Sequence, residues 1–250
     1  MCSIDLIGLA RRGDIKQNRT AHKIFRKKEI KIMKGKKLLA GVLSAAMVLG
    51  TMAFPVFADG ENWADHVNTG WYTDAESEYT LSTAEELAGL ASLVNNGTSF
   101  AKKTIKLGND IDLEGREWTP IGKEKLSFQG TFDGNGNTVK NLLITGSNSD
   151  VGLFGLTTNG EIKNFTLENA SVSGYLDVGA VAGTPYTSKY TDITVKGLIK
   201  IDGFAYVGGA FGKNAYANLT NVDVIGDNGS YVTADSKGYR TYVGGLVGFM

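Results

Sequence analysis

Residues 178–183 read VGAVAG, and the same pattern of valine, glycine, three residues and glycine returns as VGGAFG at residues 207–212 and VGGLVG at residues 243–248. A shorter relative, VGLFG, occupies residues 151–155. The valines that open the four copies, at positions 151, 178, 207 and 243, are 27, 29 and 36 residues apart. Repeats of this length indicate units that bury their apolar faces only by stacking on one another.

A second motif repeats in the same order and predicts short strands. Each copy has a polar pair followed by apolar, polar and apolar residues, at 140–144, 163–167, 191–195 and 220–224. Alternation with a period of two is typical of a strand with one buried face. The Asn or Asp before each strand favours a turn, because its side chain bonds nearby backbone and tolerates left-handed conformations. The predicted inward residues are Leu142, Ile144, Phe165, Leu167, Ile193, Val195, Val222 and Val224.

Composition indicates which kind of stacked repeat this is. Of 33 glycines, 28 follow Ala58, and glycine permits positive φ and close backbone approach at the corners of a narrow coil. Short strands joined by Gly, Asn, Asp and Ser favour an all-β fold, a right-handed parallel β-helix (solenoid) with an N-terminal amphipathic helix cap. A β-sandwich is the alternative, but its strands have no need to repeat a glycine column.

The first 58 residues are predicted to lie outside this fold. A basic start at Met33, an apolar run over 38–54 and a cleavage site after Ala58 predict a signal peptide over 33–58; a retained membrane anchor is the competing interpretation. We expect translation to begin at Met33 in a bacterial gene, which would make residues 1–32 mis-annotated upstream sequence. Cys2, the single cysteine of the chain, falls in that segment.

Removal of this leader would leave an acidic protein. The whole chain has 26 basic and 26 acidic residues, of which residues 1–58 hold 12 and 3, so residues 59–250 have a net charge of 14 − 23 = −9. Nucleic acid requires a basic surface and is therefore not an expected partner. Disulfides and thiolate zinc sites are excluded for residues 59–250, since they contain no cysteine.

A helix is predicted over residues 82–94, after an N-terminal linker or cap segment at 59–81. Ser82 and Glu85 have the spacing of a capping box. Leu87, Leu90, Ala91 and Val94 form one apolar face, and residues 95–97, NNG, end the helix. We expect this helix to cover the open end of the first coil in a repeat domain that spans 82–250.

Several ordered motifs in residues 60–250 carry a resemblance to a known family. They are the YTLSTAEELAGLA run from Tyr79, DIDL at 110–113, WTPIG at 118–122, TFDGNG at 131–136 and VGGLVG at 243–248. Together they resemble bacterial cell-surface or secreted proteins with GLUG repeats, which also occur in non-catalytic regions of immunoglobulin A peptidases. The resemblance implies β-helical modules with varied roles.

Two acidic clusters are candidates for chemistry. Asp133, Asn135 and Asn137 have the i, i+2, i+4 spacing of a calcium loop, but the later ligand positions of an EF-hand are absent, and a glycine-rich turn explains them equally well. Asp110 and Asp112 would lie on the same side of a strand, as paired catalytic carboxylates do, yet an ordinary coil with a polar outer side accounts for them.

Other candidates are weaker. His66 is the single histidine after the leader and lies outside any H-E-x-x-H motif. The GNG run at 134–136 is too short for a dinucleotide fingerprint. Four aromatic residues could either stack on sugar or pack the cap: Trp63, Trp71, Tyr72 and Trp118.

These observations predict an exported protein of a Gram-positive bacterium, secreted or cell-wall-associated, with a structural and adhesive rather than catalytic role. The expected partners are host or cell-wall glycans or matrix proteins. The sequence identifies no catalytic residue, metal ligand or cofactor, and leaves the oligomeric state open. A polysaccharide-active β-helix enzyme and a non-catalytic arm of a large surface peptidase are the alternatives. We also expect the natural protein to continue past Met250, because the last repeat has no covering cap.

Overall fold

The computed structural model describes residues 61–235 and 240–250. The predicted upstream segment and signal peptide, together with residues 59 and 60 of the linker, lie outside the described residues. Within the described ranges, no helix has the length and hydrophobicity needed to cross a membrane.

The described residues form one 3₁₀ turn, one α-helix and sixteen strands. The 3₁₀ turn spans Trp63–Asp65 and helix α1 spans Ala84–Asn95. The strands are β1 (Glu78–Leu81), β2 (Thr104–Leu107), β3 (Ile111–Asp112), β4 (Thr131–Asp133), β5 (Thr138–Ile144), β6 (Phe154–Thr158), β7 (Glu161–Ser173), β8 (Val178–Gly179), β9 (Ala182–Tyr186), β10 (Lys189–Gly203), β11 (Tyr206–Gly208), β12 (Phe211–Lys213), β13 (Asn218–Gly226), β14 (Tyr231–Ala234), β15 (Tyr242–Gly244) and β16 (Val247–Phe249).

The strands stack as the coils of a parallel solenoid. The longest ladder runs β1-β2-β4-β7-β10-β13, and each of its strand pairs is parallel. Aligned residues along it are 78, 104, 131, 161, 189 and 218, so the chain returns to the next position after 26 to 30 residues. This gives about five turns, and the predicted all-β parallel solenoid is confirmed.

The other strands form the remaining faces. Strands β3, β5 and β14 pair with the long strands or with each other, while β6-β9-β12-β16 and β8-β11-β15 form two separate parallel sheets. The valines of the repeated motif align as predicted: Val151 with Val178, Val178 with Val207, and Val207 with Val243. The 27-, 29- and 36-residue spacings therefore mark successive coils.

The repeated glycines permit backbone-to-backbone nesting of these coils. A Cβ atom on Gly179 would lie 2.6 Å from the Ala210 carbonyl oxygen and 2.7 Å from the Gly212 nitrogen, both in the following coil. A Cβ atom on Gly212 would lie 2.2 Å from the carbonyl carbon of Asp177, in the preceding coil. None of the repeated glycines has a left-handed φ, so close approach alone requires them. The same crowding recurs at Gly152, Gly183, Gly208 and Gly248.

The left-handed corners are filled by Asn and Asp instead. Asn141, Asn164, Asn169, Asp192 and Asn221 have φ values of 59°, 58°, 58°, 55° and 50°. Asn and Asp tolerate this conformation better than other residues with a side chain. Each corner bends the chain within one long hydrogen-bonded strand, which lets β7 and β10 contribute to two faces.

The predicted alignment of the second motif is wrong for its first copy. Residues 163–167, 191–195 and 220–224 do stack, with Phe165 on Ile193 and Ile193 on Val222. Residues 140–144, however, pair with 168–172 on the neighbouring face, and Leu142 lies beside Ala170. The physical reason is that β7 has two left-handed corners, and the first copy matches the second of them.

The predicted inward residues form the core. Six of them are at most 3% exposed, namely Leu142, Ile144, Phe165, Leu167, Ile193 and Val195. Val222 and Val224 are half-buried because they belong to the last strand of the ladder. At the other end of the ladder, by contrast, Leu81 of β1 and Ile105 and Leu107 of β2 are fully buried.

The N-cap of helix α1 is one residue later than predicted, and the helix itself begins at Ala84. The side chain of Thr83, not Ser82, accepts the hydrogen bond from the Glu86 nitrogen, at 3.3 Å, and the Glu86 carboxylate accepts one from the Ser82 nitrogen, at 2.7 Å. The capping pair is therefore Thr83 and Glu86 rather than Ser82 and Glu85. The predicted apolar face is confirmed, since its four residues are at most 3% exposed: Leu87, Leu90, Ala91 and Val94.

Replacing Gly179 with Ala is expected to lower the free energy of unfolding by about 1–3 kcal/mol, because the new methyl group overpacks the next coil. Gly245→Ala is the matched control, since its Cβ would meet nothing within 4 Å, and it should be neutral or stabilise by up to about 1 kcal/mol. Urea denaturation of both variants measures this difference. Equal effects would contradict the nesting of coils at Gly179.

Replacing Asn164 with Ala is expected to cost about 1–2 kcal/mol, because Ala is strained at a left-handed φ. Asn164→Gly removes the same hydrogen bond to Asp133 but tolerates the φ, so it should be the more stable of the two variants. Thermal or chemical denaturation compares them. If the Asn164→Ala variant were as stable as Asn164→Gly, the left-handed φ at this corner would not explain the preference for Asn.

Candidate functional site

The two carboxylates proposed as a catalytic pair hold adjacent coils together. Asp110 accepts a hydrogen bond from the Thr138 nitrogen at 2.8 Å and lies 3.1 Å from the Lys140 ammonium. The Thr138 hydrogen bond, followed by Lys140, lowers the pKa of Asp110. Asp112 accepts from the Asn141 side chain at 2.8 Å. The structure therefore places both carboxylates in coil-to-coil contacts.

The suggested calcium loop is a hydrogen-bonded turn. Asp133 accepts from the Asn135 backbone nitrogen at 2.9 Å and from the Asn164 amide at 3.1 Å. The side-chain amide of Asn137 donates to the Leu107 carbonyl oxygen at 3.0 Å. Among the described residues, no three or more His, Cys, Asp or Glu side chains cluster in a way that could hold a metal ion.

The aromatic candidates pack within the N-terminal part of the solenoid. Trp63 and Trp118 are 3% and 2% exposed, and their indole nitrogens donate to the carbonyls of Leu113 and Leu153. Trp71, Tyr72, Tyr79 and Phe100 form a cluster of rings with centroids 5.2–6.2 Å apart. Trp63 and Trp118 are therefore core residues rather than a sugar-stacking platform.

His66 caps the short 3₁₀ turn. Its backbone nitrogen donates to the Trp63 carbonyl at 3.1 Å, and its ring lies edge-on to the Trp63 indole with centroids 6.1 Å apart. The imidazole is exposed. His66 is therefore a surface residue of the N-terminal segment.

Polar ladders continue along the solenoid beyond the predicted candidates. The side-chain amide of Asn221 donates to the Asp192 carboxylate at 2.6 Å, and that of Asn169 donates to the side-chain oxygen Oδ1 of Asn141 at 3.3 Å. Asn169 also accepts from the Leu198 backbone nitrogen at 2.9 Å. Each bond joins residues about one coil apart, so these amides and carboxylates are structural links between coils.

One carboxyl differs from these links and was missed from sequence. Asp177 has a left-handed φ of 57°, and its Oδ1 atom is buried with no hydrogen-bond partner. Burial, with a further contribution from the Asp150 carboxylate, raises the pKa of Asp177 to about 6, while Lys213 acts in the opposite direction. The sequence signal that could have identified Asp177 is an Asp directly before the repeated valine, which occurs in the copies at 150–152 and 177–179.

The neighbouring Asp150 is better satisfied. Its carboxylate accepts a hydrogen bond from the Thr184 hydroxyl at 2.6 Å. Among the described carboxyls, Asp177 is therefore the one whose raised pKa and unpartnered oxygen best suit proton transfer.

The pKa of Asp177 predicts a specific pH dependence of stability. Its carboxyl titrates near pH 4 in an unfolded chain and near 6 in the folded one. The folded chain then binds more protons between those values, so the free energy of unfolding should fall as pH rises from about 4 to 6. Asp177→Asn should reduce this decline in the free energy of unfolding, and at pH 7 the variant should have a higher denaturation midpoint than wild type. Denaturation curves across pH 4–8 test it; parallel curves for the two proteins would refute it.

Comparison with known proteins gives partial matches. No family model matches the chain. The chain is 35% identical over 151 residues to halomucin from Haloquadratum walsbyi, which is 55% of this chain and 2% of halomucin. It is 31% identical over 117 residues to a candidate Gly-rich membrane protein from Evansella cellulosilytica, which is 44% of this chain and 14% of that protein.

Among solved structures, the chain is similar to a candidate immunoglobulin A1 protease from Bacteroides ovatus. The TM-score is 0.47 at 20% identity, covering 71% of this chain and 62% of that chain. In sequence, this chain is thus similar to small portions of two much longer curated proteins.

Proposed function

We propose that this chain is an exported bacterial cell-surface module with a structural and adhesive role and no catalytic one. The observation that carries the proposal is the use of polar side chains as links between coils. Asp112, Asn141 and Asn169 illustrate it, because each is bonded to a residue about one coil away. Groups committed to such bonds stiffen the scaffold.

The architecture also supports this role. A solenoid buries one continuous core while exposing long faces, which suits display and contact with extended partners through many weak interactions. The charge of −9 calculated for residues 59–250 favours partners other than nucleic acid. Glycans and matrix proteins are the classes of partner that we propose.

Relatives and motifs provide further support. One similar protein is called halomucin and another a Gly-rich membrane protein, and both names are consistent with a location at the cell envelope. The resemblance to GLUG-repeat proteins suggests the same location and admits a third role, as the non-catalytic arm of a surface peptidase. The proposed signal peptide over 33–58 would provide the route of export.

A polysaccharide-active enzyme is the second candidate. Asp177 favours it, because a carboxyl with a pKa raised to about 6 beside Asp150 could act as a general acid. Reducing-end release from polysaccharides by wild type and Asp177→Asn separates the two functions. If wild type releases reducing ends and the Asp177→Asn variant does not, the protein is an enzyme and the structural proposal is wrong.

Surface exposure is the direct test of the main proposal. Brief proteolysis of intact cells should remove antibody reactivity to residues 61–235, while a cytoplasmic marker protein stays intact. N-terminal sequencing of the exported protein should begin at Asp59. Antibody reactivity that resists proteolysis until the cells are lysed would contradict the proposal.

A further inference from the structure

In the coils after residue 130, one corner departs from the Asn or Asp occupancy of the other left-handed non-glycine positions. Asn159, Thr187 and Tyr216 follow one another in adjacent coils, because β6 pairs with β9 and Tyr186 forms a parallel bridge with Ala215. Their φ values are 55°, 48° and 65°, all left-handed. The Thr187 hydroxyl donates to the Asn159 side chain at 2.7 Å, which joins two of these coils.

Thr187 and Tyr216 are unusual occupants of such a position. Among described residues after 130, eleven non-glycine residues have left-handed φ, and the other nine are Asn or Asp. A β-branched or bulky residue is costly there. Tyr216 is 83% exposed, so burial of its ring does not offset that cost. An exposed bulky ring at a costly backbone position indicates a contact outside the solenoid.

Tyr216 is paired with a second exposed ring. Tyr186 is 44% exposed, and the two ring centroids lie 6.2 Å apart at an interplanar angle of 85°. In this edge-to-face arrangement the edge of one ring meets one face of the other, so the pair leaves its remaining faces uncovered. An aromatic face with a polar hydroxyl at its edge suits the apolar C–H face and the hydroxyls of a sugar ring.

Two other aromatic pairs outside the core have a different geometry. Tyr175 and Phe204 stack with an interplanar angle of 29°, and Tyr206 and Tyr242 stack at 19°. Stacked rings cover each other's faces and act as structural ladders between coils. The perpendicular pair is therefore the better contact surface.

The corner itself consists of polar, uncharged segments, and the charged residues Glu161, Lys189 and Lys213 lie immediately beyond them in the sequence. The segments that meet at this corner, residues 157–160, 186–188 and 214–218, contain only Thr, Asn, Gly, Tyr, Ser and Ala. With no charge within the corner and charges of both signs beyond it, this surface favours a neutral ligand over an anionic one. Two rings also offer far less than the roughly 800 Å² per partner of a stable protein interface, whereas they are large enough for one sugar ring.

We infer that Tyr186 and Tyr216 bind a neutral pyranose unit of an extracellular glycan. This inference rests on the proposed adhesive function and names the contact site and ligand class for it. A single pair binds weakly, and many copies displayed on one surface supply the avidity. Asn159 and Thr187 place amide and hydroxyl groups in the same corner, beside the rings.

Affinity electrophoresis of the full-length protein tests the site. The probes are hydroxyethylcellulose, galactomannan and soluble β-1,3-glucan, with alginate as the anionic comparison. Wild type should be retarded by at least one neutral polymer, and Tyr216→Asn should weaken that retardation about three- to tenfold. Tyr231→Ala, which removes a 46% exposed tyrosine elsewhere, should bind as wild type.

Stability provides an independent readout of the same variant. Because Asn suits a left-handed φ, Tyr216→Asn should raise the midpoint of thermal unfolding by about 2–4 °C. A lower midpoint would assign the ring a structural role and overturn the inference. The inference would also be overturned if the Tyr216→Asn variant were retarded as strongly as wild type, or if none of the three neutral polymers retarded wild type. Binding by a protein that is not exposed on cells would refute the proposed function while supporting this site.

Discussion

Backbone nesting between coils is the constraint on which the rest of this structure depends. Gly179 and Gly212 show it best, because any side chain at either position would overlap the backbone of the adjacent coil. The nesting brings successive coils close enough for parallel hydrogen bonding, and so aligns Val178 with Val207 and Val207 with Val243. Since coils are in register, equivalent side chains stack, and the ladders of core residues and polar links follow.

Glycine and asparagine have different roles in the backbone of each coil. The repeated glycines allow close approach without a left-handed φ, while Asn164, Asp192 and Asn221 supply the left-handed corners. An Asn at a corner also has a side chain with which to bond the next coil, as Asn221 does with Asp192. Corner formation and coil attachment are thus combined in one residue, which leaves few polar groups for chemistry. Asp177 is the exception, because its buried oxygen lacks a partner.

Sequence reasoning predicted the features that depend on periodicity. The valine spacing gave the coil register, and the apolar spacing gave the buried face of α1. It misplaced residues 140–144, because two corners of β7 carry the same polar pattern and periodicity cannot distinguish them. It chose Ser82 over Thr83 because both satisfy the capping pattern with a glutamate three residues later. The pKa of Asp177 and the Tyr186–Tyr216 pair depend on which residues different coils bring together, and no local pattern encodes that.

A double-mutant cycle between Asp112 and Asn141 tests the central claim, that acidic groups resembling catalytic ones are links between coils. The variants are Asp112→Ala, Asn141→Gly and the double change, with the free energy of unfolding measured for each. Glycine at position 141 keeps the left-handed corner while removing the amide. We predict a favourable coupling of about 0.5–1.5 kcal/mol. Additive effects within error would contradict the claim and leave Asp112 available for another role.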